Sequence, residues 1–83
     1  MTSKISITVR YFAIFREERG LSEEALETSA QTVEELYAEL KLANGFRLEP
    51  KWVRLAVNGA YVPATRHLAP GDEVVLIPPV AGG

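Results

Sequence analysis

The chain has 83 residues, enough for one hydrophobic core and too few for two, so a single domain is expected over 1–83. Hydrophobic residues make up 47% and charged residues 24%, the balance of a folded globular protein rather than a disordered one. The net charge is -2 and the basic residues are scattered, which argues against nucleic acid, since phosphates need clustered Lys and Arg.

There is no cysteine, so neither a disulfide nor a thiolate metal site supports the fold, and the lone His67 cannot assemble a metal site alone. No metal and no bound cofactor are expected. The longest apolar run, Val74 to Ala81, is too short to cross a bilayer and is broken by Pro78 and Pro79, so no membrane is implied. Small secreted domains generally carry disulfides, and the opening MTSKISITVR lacks a signal-peptide stretch; a cytosolic location is expected.

Lys4 to Tyr11 alternates polar and apolar with β-branched residues, predicting a strand that turns Ile5, Ile7, Val9 and Tyr11 inward. Phe12 to Arg19 predicts one or two helical turns closed by Gly20. Phe12 and Phe15 are expected in the core, and the run Arg16-Glu17-Glu18-Arg19 reads as a solvated face. Leu21 to Ser29 is expected as an edge strand pairing with the first. Thr32-Val33-Glu34-Glu35 is a capping box, with the Thr32 hydroxyl taking the Glu35 amide and the Glu35 carboxylate returning to the Thr32 amide. Val33, Leu36, Tyr37 and Leu40 share one helical face, and Asn44-Gly45 ends the helix. Arg47 to Lys51 reads as loop and Trp52 to Asn58 as strand. Asn58-Gly59 predicts a type I′ hairpin turn into a short strand at Ala60-Tyr61-Val62, which Pro63 ends. Arg66 and His67 fall in a surface loop, Ala69-Pro70-Gly71-Asp72 is a turn, and Glu73 to Ile77 is a final strand.

This order predicts an α+β roll, a mixed sheet of about five strands packed on one main helix. In the final strand Val74 and Leu76 share one face, Val75 and Ile77 the other, and both faces are apolar. One helix covers one face, so a patch around Val75 and Ile77 is expected to await a partner. Coverage by a loop such as Arg47 to Trp52 is the alternative.

Beyond the strand, Pro78 and Pro79 cannot donate to a ladder and direct the chain outward, making 78–83 a flexible C-terminal tail. Val80, Ala81, Gly82 and Gly83 form a narrow thread whose glycines permit close backbone approach in another protein's channel. The Gly83 carboxylate is ionised and a poor electrophile, but once adenylated it is open to an amine, a thiol or a persulfide.

Val9-Arg10-Tyr11-Phe12-Ala13-Ile14-Phe15-Arg16-Glu17 with Gly20, then Ala56-Val57-Asn58-Gly59, then Gly71-Asp72-Glu73-Val74 running into Pro78-Pro79-Val80-Ala81-Gly82-Gly83, together span nearly the whole chain. In these stretches the sequence resembles the ubiquitin-like sulfur carriers, most closely the small-subunit family of molybdopterin synthase (MoaD). The resemblance implies a β-grasp fold with the first and last strands parallel at the sheet centre. It also implies that a ubiquitin-activating-like adenylyltransferase uses ATP to adenylate Gly83, and that a sulfur donor then converts it to a thiocarboxylate. The large subunit of molybdopterin synthase would receive the tail, in a heterotetramer, and sulfur would pass to cyclic pyranopterin monophosphate. Gly83 and Gly82 would carry the chemistry; Val75, Ile77, Pro78, Pro79, Val80 and Ala81 would contact partners. The chain would be a cosubstrate rather than a catalyst, since no nucleophile or acid–base pair of its own is evident. A ubiquitin-like protein modifier and a thiamine-type sulfur carrier are the alternatives.

Overall fold

The computed structural model describes residues 3–79. The elements follow in the order β1 (Ile5–Tyr11), α1 (Ile14–Arg19), β2 (Glu23–Thr28), α2 (Val33–Asn44), a 3₁₀ turn (Pro50–Trp52), β3 (Arg54–Val57), β4 (Ala60–Tyr61) and β5 (Glu73–Ile77). They build one five-stranded sheet in the order β2-β1-β5-β3-β4. The first and last strands are neighbours and parallel, with Val9 opposite Val74 and Tyr11 opposite Leu76; every other pairing is antiparallel. This is the β-grasp arrangement, with α2 against one face of the sheet.

Strand parity decides what is buried. Ile7, Val9 and Tyr11 from β1, Leu55 and Val57 from β3, and Val74 and Leu76 from β5 point to the helix side and join Val33, Leu36, Tyr37 and Leu40 of α2. Four aromatic rings close one end of this core. Phe15 meets Phe46 and Tyr37 edge-on at 5.2 and 5.8 Å, Tyr37 stacks on Phe46 at 6.3 Å, and Tyr11 meets Phe46 at 6.0 Å. Such geometries add roughly 0.5–1.5 kcal/mol per pair beyond the area buried. The Tyr37 hydroxyl donates to the Leu48 carbonyl at 2.8 Å, so the loop after α2 is held on the helix side.

Four local expectations are corrected. Trp52 belongs to the 3₁₀ turn started by Pro50 and is exposed; β3 begins only at Arg54, because the Trp52 and Val53 amides donate back to the Glu49 and Pro50 carbonyls instead of across a ladder. The Glu35 carboxylate accepts from the Gln31 amide rather than that of Thr32, in a segment held beside His67 by the bonds from the Val33 amide to the Arg66 carbonyl and from the Leu68 amide to the Gln31 carbonyl; the other half of the box, Glu35 amide to Thr32 hydroxyl, forms as expected. The charge run of α1 is only partly a solvated face. Arg19 grips Glu24 with two hydrogen bonds of 2.9 Å while Tyr11 donates to the same carboxylate at 2.6 Å, and Glu18 accepts from the Arg47 amide. Phe12 is 43% exposed rather than in the core, as alternation from the inward Tyr11 requires.

Asn58 and Gly59 adopt φ of 52° and 88°, the pair of positive values that a type I′ turn requires. The Asn58 side chain also links the hairpin to the start of β5, accepting from the Glu73 amide and donating to Asp72. Asp72 is 5% exposed and accepts from Asn58, from Arg66 at 2.6 Å and from the Ala69 amide. Arg66 is therefore a structural clamp.

Burial pushes the Asp72 carboxyl up, but the bonds from Ala69, Arg66 and Asn58 outweigh it and hold it below the ordinary carboxylate range. The Arg19 bonds, aided by Tyr11, likewise lower Glu24 against the opposing effect of burial. A depressed folded-state pKa contributes stability that is present above the unfolded-state values, about 3.9 for Asp and 4.3 for Glu, and is lost as pH falls through the folded values. Urea unfolding is therefore expected to show declining stability below about pH 4.3, with Asp72→Asn and Glu24→Gln each flattening that decline.

Candidate functional site

The site is the root of the tail and the sheet face around it. β5 lies between β1 and β3, so its outward side chains are central on the face opposite α2. Val74 and Leu76 are fully buried beneath, while Val75 and Ile77 are half-buried above. Val75 is opposite Arg10 on one side and Ala56 on the other, and Ile77 is opposite Arg54. Arg10, Ala25, Arg54 and Tyr61 on this face are exposed. The loop from Arg47 to Trp52 does not cover it: its Phe46 and Leu48 flanks pack into the core on the helix side. The face expected to await a partner is open among the described residues.

Its chemistry is uneven from edge to edge. On the β2 side, Glu23 is opposite Arg10 and Glu27 opposite Ser6, and Arg10 also lies 3.8 Å from Glu73. Arg10 thus sits between Glu23 and Glu73, with its guanidinium 6.0 Å from the Phe12 ring. On the β3–β4 side the guanidinium of Arg54 lies 4.9 Å from the exposed Tyr61 ring, and the Lys51 ammonium 5.5 Å from the exposed Trp52 ring.

The backbone at Ala13 is strained. Its φ of 49° and ψ of -122° form the first central position of a tight turn closed by the bond from the Phe15 amide to the Phe12 carbonyl. Such a conformation costs a non-glycine residue on the order of 1–3 kcal/mol. It ends β1 abruptly and leaves the Phe12 ring outside. Ala13→Gly is expected to raise the unfolding midpoint in urea, and an unchanged or lowered midpoint would show the turn to be relaxed.

Of the residues assigned from the sequence, Val75, Ile77, Pro78 and Pro79 lie together where the sheet gives way to the tail; Val80, Ala81, Gly82 and Gly83 lie outside the described residues. Arg54 and Tyr61 were not among the expected contacts, and for Phe12 partner contact was the alternative to the core. Strand parity carried onward from Tyr11 and from the Asn58-Gly59 turn would have found them. Among the described residues no group of His, Cys, Asp or Glu is placed to hold a metal ion, and no helix is long and apolar enough to cross a membrane.

A parallel pair of first and last strands, a helix across one face and an open apolar patch at the exit of the C-terminal segment define a ubiquitin-like β-grasp protein. Solved structures of that class agree. A molybdopterin converting factor subunit 1 of Pyrococcus furiosus is 34% identical, with a TM-score of 0.75 over 92% of this chain and 99% of that one. Subunit 1 in a complex of subunits 1 and 2 of molybdopterin-converting factor from Helicobacter pylori is similar at 28% identity and a TM-score of 0.64, covering 95% and 100%. SAMP1 of Haloferax volcanii is similar at 25% identity and a TM-score of 0.74, covering 94% and 99%. No curated protein matches the sequence. The ThiS family profile matches residues 9–83, and the chain belongs to the ThiS family. It is a ubiquitin-fold protein of the sulfur-carrier or modifier kind.

Proposed function

We propose that the chain is the sulfur-carrying small subunit of a molybdopterin synthase, working in the cytosol. The Gly83 carboxylate attacks the α-phosphate of ATP on a ubiquitin-activating-like adenylyltransferase, and pyrophosphate leaves. Hydrosulfide released by a sulfur donor then attacks the acyl carbon and AMP leaves, the C–S bond forming as the C–O bond to phosphate breaks, which gives the thiocarboxylate. The large subunit binds the open face around Val75 and Ile77 and receives Pro78, Pro79, Val80, Ala81, Gly82 and Gly83 in its channel, where sulfur passes to cyclic pyranopterin monophosphate. Glycine suits the terminal position because no side chain crowds the carbonyl carbon.

The observation that carries this reading is the continuity of an uncovered apolar face on the central strand with the Pro-Pro root of the tail. The 34% identity to a molybdopterin converting factor subunit 1 supports this use among those open to the fold. The likeness to SAMP1, known as a small archaeal modifier protein, favours a second reading, in which Gly83 is joined to lysines of other proteins. The two differ in the nucleophile that takes the acyl group.

Intact mass of the protein, incubated with its adenylyltransferase, ATP and a sulfur donor, is expected to rise by one oxygen-to-sulfur exchange. A mass that stays at the carboxylate form defeats the carrier reading, and accumulation of amine conjugates favours the modifier. Ile77→Lys is expected to weaken binding of the large subunit by about 30-fold or more, the size of an interface hot spot of 2 kcal/mol. Its stability should move by less than about 1 kcal/mol because the side chain is half-exposed at a strand end; a larger loss would mean the residue belongs to the core.

A further inference from the structure

Beside the tail root, around the β3–β4 edge of the sheet, lies a groove of about 440 Å³. Its floor is apolar, built from Pro50, Val53, Leu55, Val62 and Ala64 with Tyr37 behind. Two cations stand at its rim, Lys51 and Arg54, each against an exposed aromatic ring, Trp52 and Tyr61. Neither has an ion-pair partner among the described residues, whereas Arg10, Arg19, Arg47 and Arg66 each have one. Glu34 is the only carboxylate in the lining among the described residues.

We propose that this groove docks an acidic, apolar-anchored segment of the protein that receives the tail, a carboxylate on Arg54 and Lys51 holding it while an apolar side chain enters the floor. The proposal rests on the carrier reading and adds a second contact to it. Three observations carry it. The first is charge: the open face is acidic toward β2, through Glu23, Glu27 and Glu73, and basic and uncompensated toward the groove. A partner is thereby oriented, since reversing it would set its carboxylates against Glu23 and Glu27.

The second is continuity. Arg54 is opposite Ile77 and Tyr61 opposite Ala56, so the rim of the groove adjoins the apolar patch of the central strands, while its floor lies round the β3–β4 edge on the helix side. A segment bound there reaches the rim residue Arg54, whose strand neighbours the one that leads into the tail. The third is preparation of the cations. A ring face beneath a guanidinium or ammonium restrains side chains that otherwise lose rotamer freedom on binding. These rings are among the large apolar groups that the fold leaves in water, with Tyr61 at 65% and Trp52 at 56% exposed.

The test uses the full chain and the purified large synthase subunit from the same organism, with affinity measured by titration calorimetry at low and high salt. Lys51→Glu with Arg54→Glu is expected to weaken binding at least 30-fold at about 50 mM salt, and far less at about 0.5 M, where the Debye length shrinks to a few ångströms. Ala64→Phe, which fills the groove without altering charge, is expected to weaken binding about tenfold at both salt concentrations. Melting temperatures should match wild type, because Lys51, Arg54 and Ala64 are exposed. Wild-type binding that neither variant alters overturns the groove and leaves the carrier reading standing. Absence of wild-type binding overturns both. A dimer of this chain that the charge reversals dissociate would make a second copy the occupant and overturn the proposal.

Discussion

Deleting Gly83 is expected to reduce pterin sulfuration to background while leaving the melting temperature and the urea midpoint unchanged. The ladder ends at Ile77, and among the described residues every member of the core lies before it. In the shortened chain the Gly82 carboxylate becomes terminal but stops about 3.5 Å short of the place that Gly83 reached. A misplacement of about 1 Å already costs on the order of 100-fold in a reaction that depends on alignment. The measurement pairs a sulfuration assay with thermal unfolding. Residual sulfuration would show that the reactive carbonyl is not held in register, and a lowered melting temperature would place the tail in the fold.

Phe15→Ala is expected to have the opposite signature. Phe15 is fully buried and its ring meets both Tyr37 and Phe46, so truncation empties the centre of the aromatic cluster. The cost of removing a buried Phe is about 3–5 kcal/mol. A domain of this size has roughly 4–12 kcal/mol in all, at 0.05–0.15 kcal/mol per residue. The variant is therefore expected to melt on the order of 15–30 °C lower, and binding of the large subunit should fall only as far as the unfolded fraction rises. A loss below about 1 kcal/mol in urea would mean that the neighbouring rings close the gap.

What the sequence made legible, and what it concealed, follows from the range of each interaction. The alternation from Ile5 to Tyr11 and the Val33-Leu36-Tyr37-Leu40 stripe identify their elements because the backbone period alone sorts their side chains. Asn58-Gly59 is equally local, since its left-handed backbone excludes most other residues. Pro50 shows the limit. The aromatic and β-branched run at Trp52-Val53 reads as strand, but a proline two positions earlier fixes a 3₁₀ turn and delays the ladder. Contacts between distant segments left no such trace. Nothing in the local pattern announces that Glu24 joins Arg19 to Tyr11, or that Asp72 joins Arg66 to Asn58.

The candidate site divides along the same line. Val75 and Ile77 were legible because a strand apolar on both faces must bury one and offer the other. Pro78 and Pro79 were legible because proline cannot extend a ladder. The groove was not, because Lys51, Arg54, Tyr61 and Val62 become neighbours only when β4 turns back along β3.

The central place of β5 has a consequence for the order in which a ribosome makes this protein. Every piece of the sheet except β5 can emerge and still lack its middle, because β1 and β3 have no contact surface to each other until the strand between them arrives. Such long-range pairing must wait for most of the chain. A product cut off before β5 can therefore show neither the Val75 and Ile77 patch nor the β1–β5–β3 surface on which a partner would land. Quality control is built into the topology: only chains translated through their final strand present the β1–β5–β3 face, so a product truncated before β5 has no such surface with which to engage a partner.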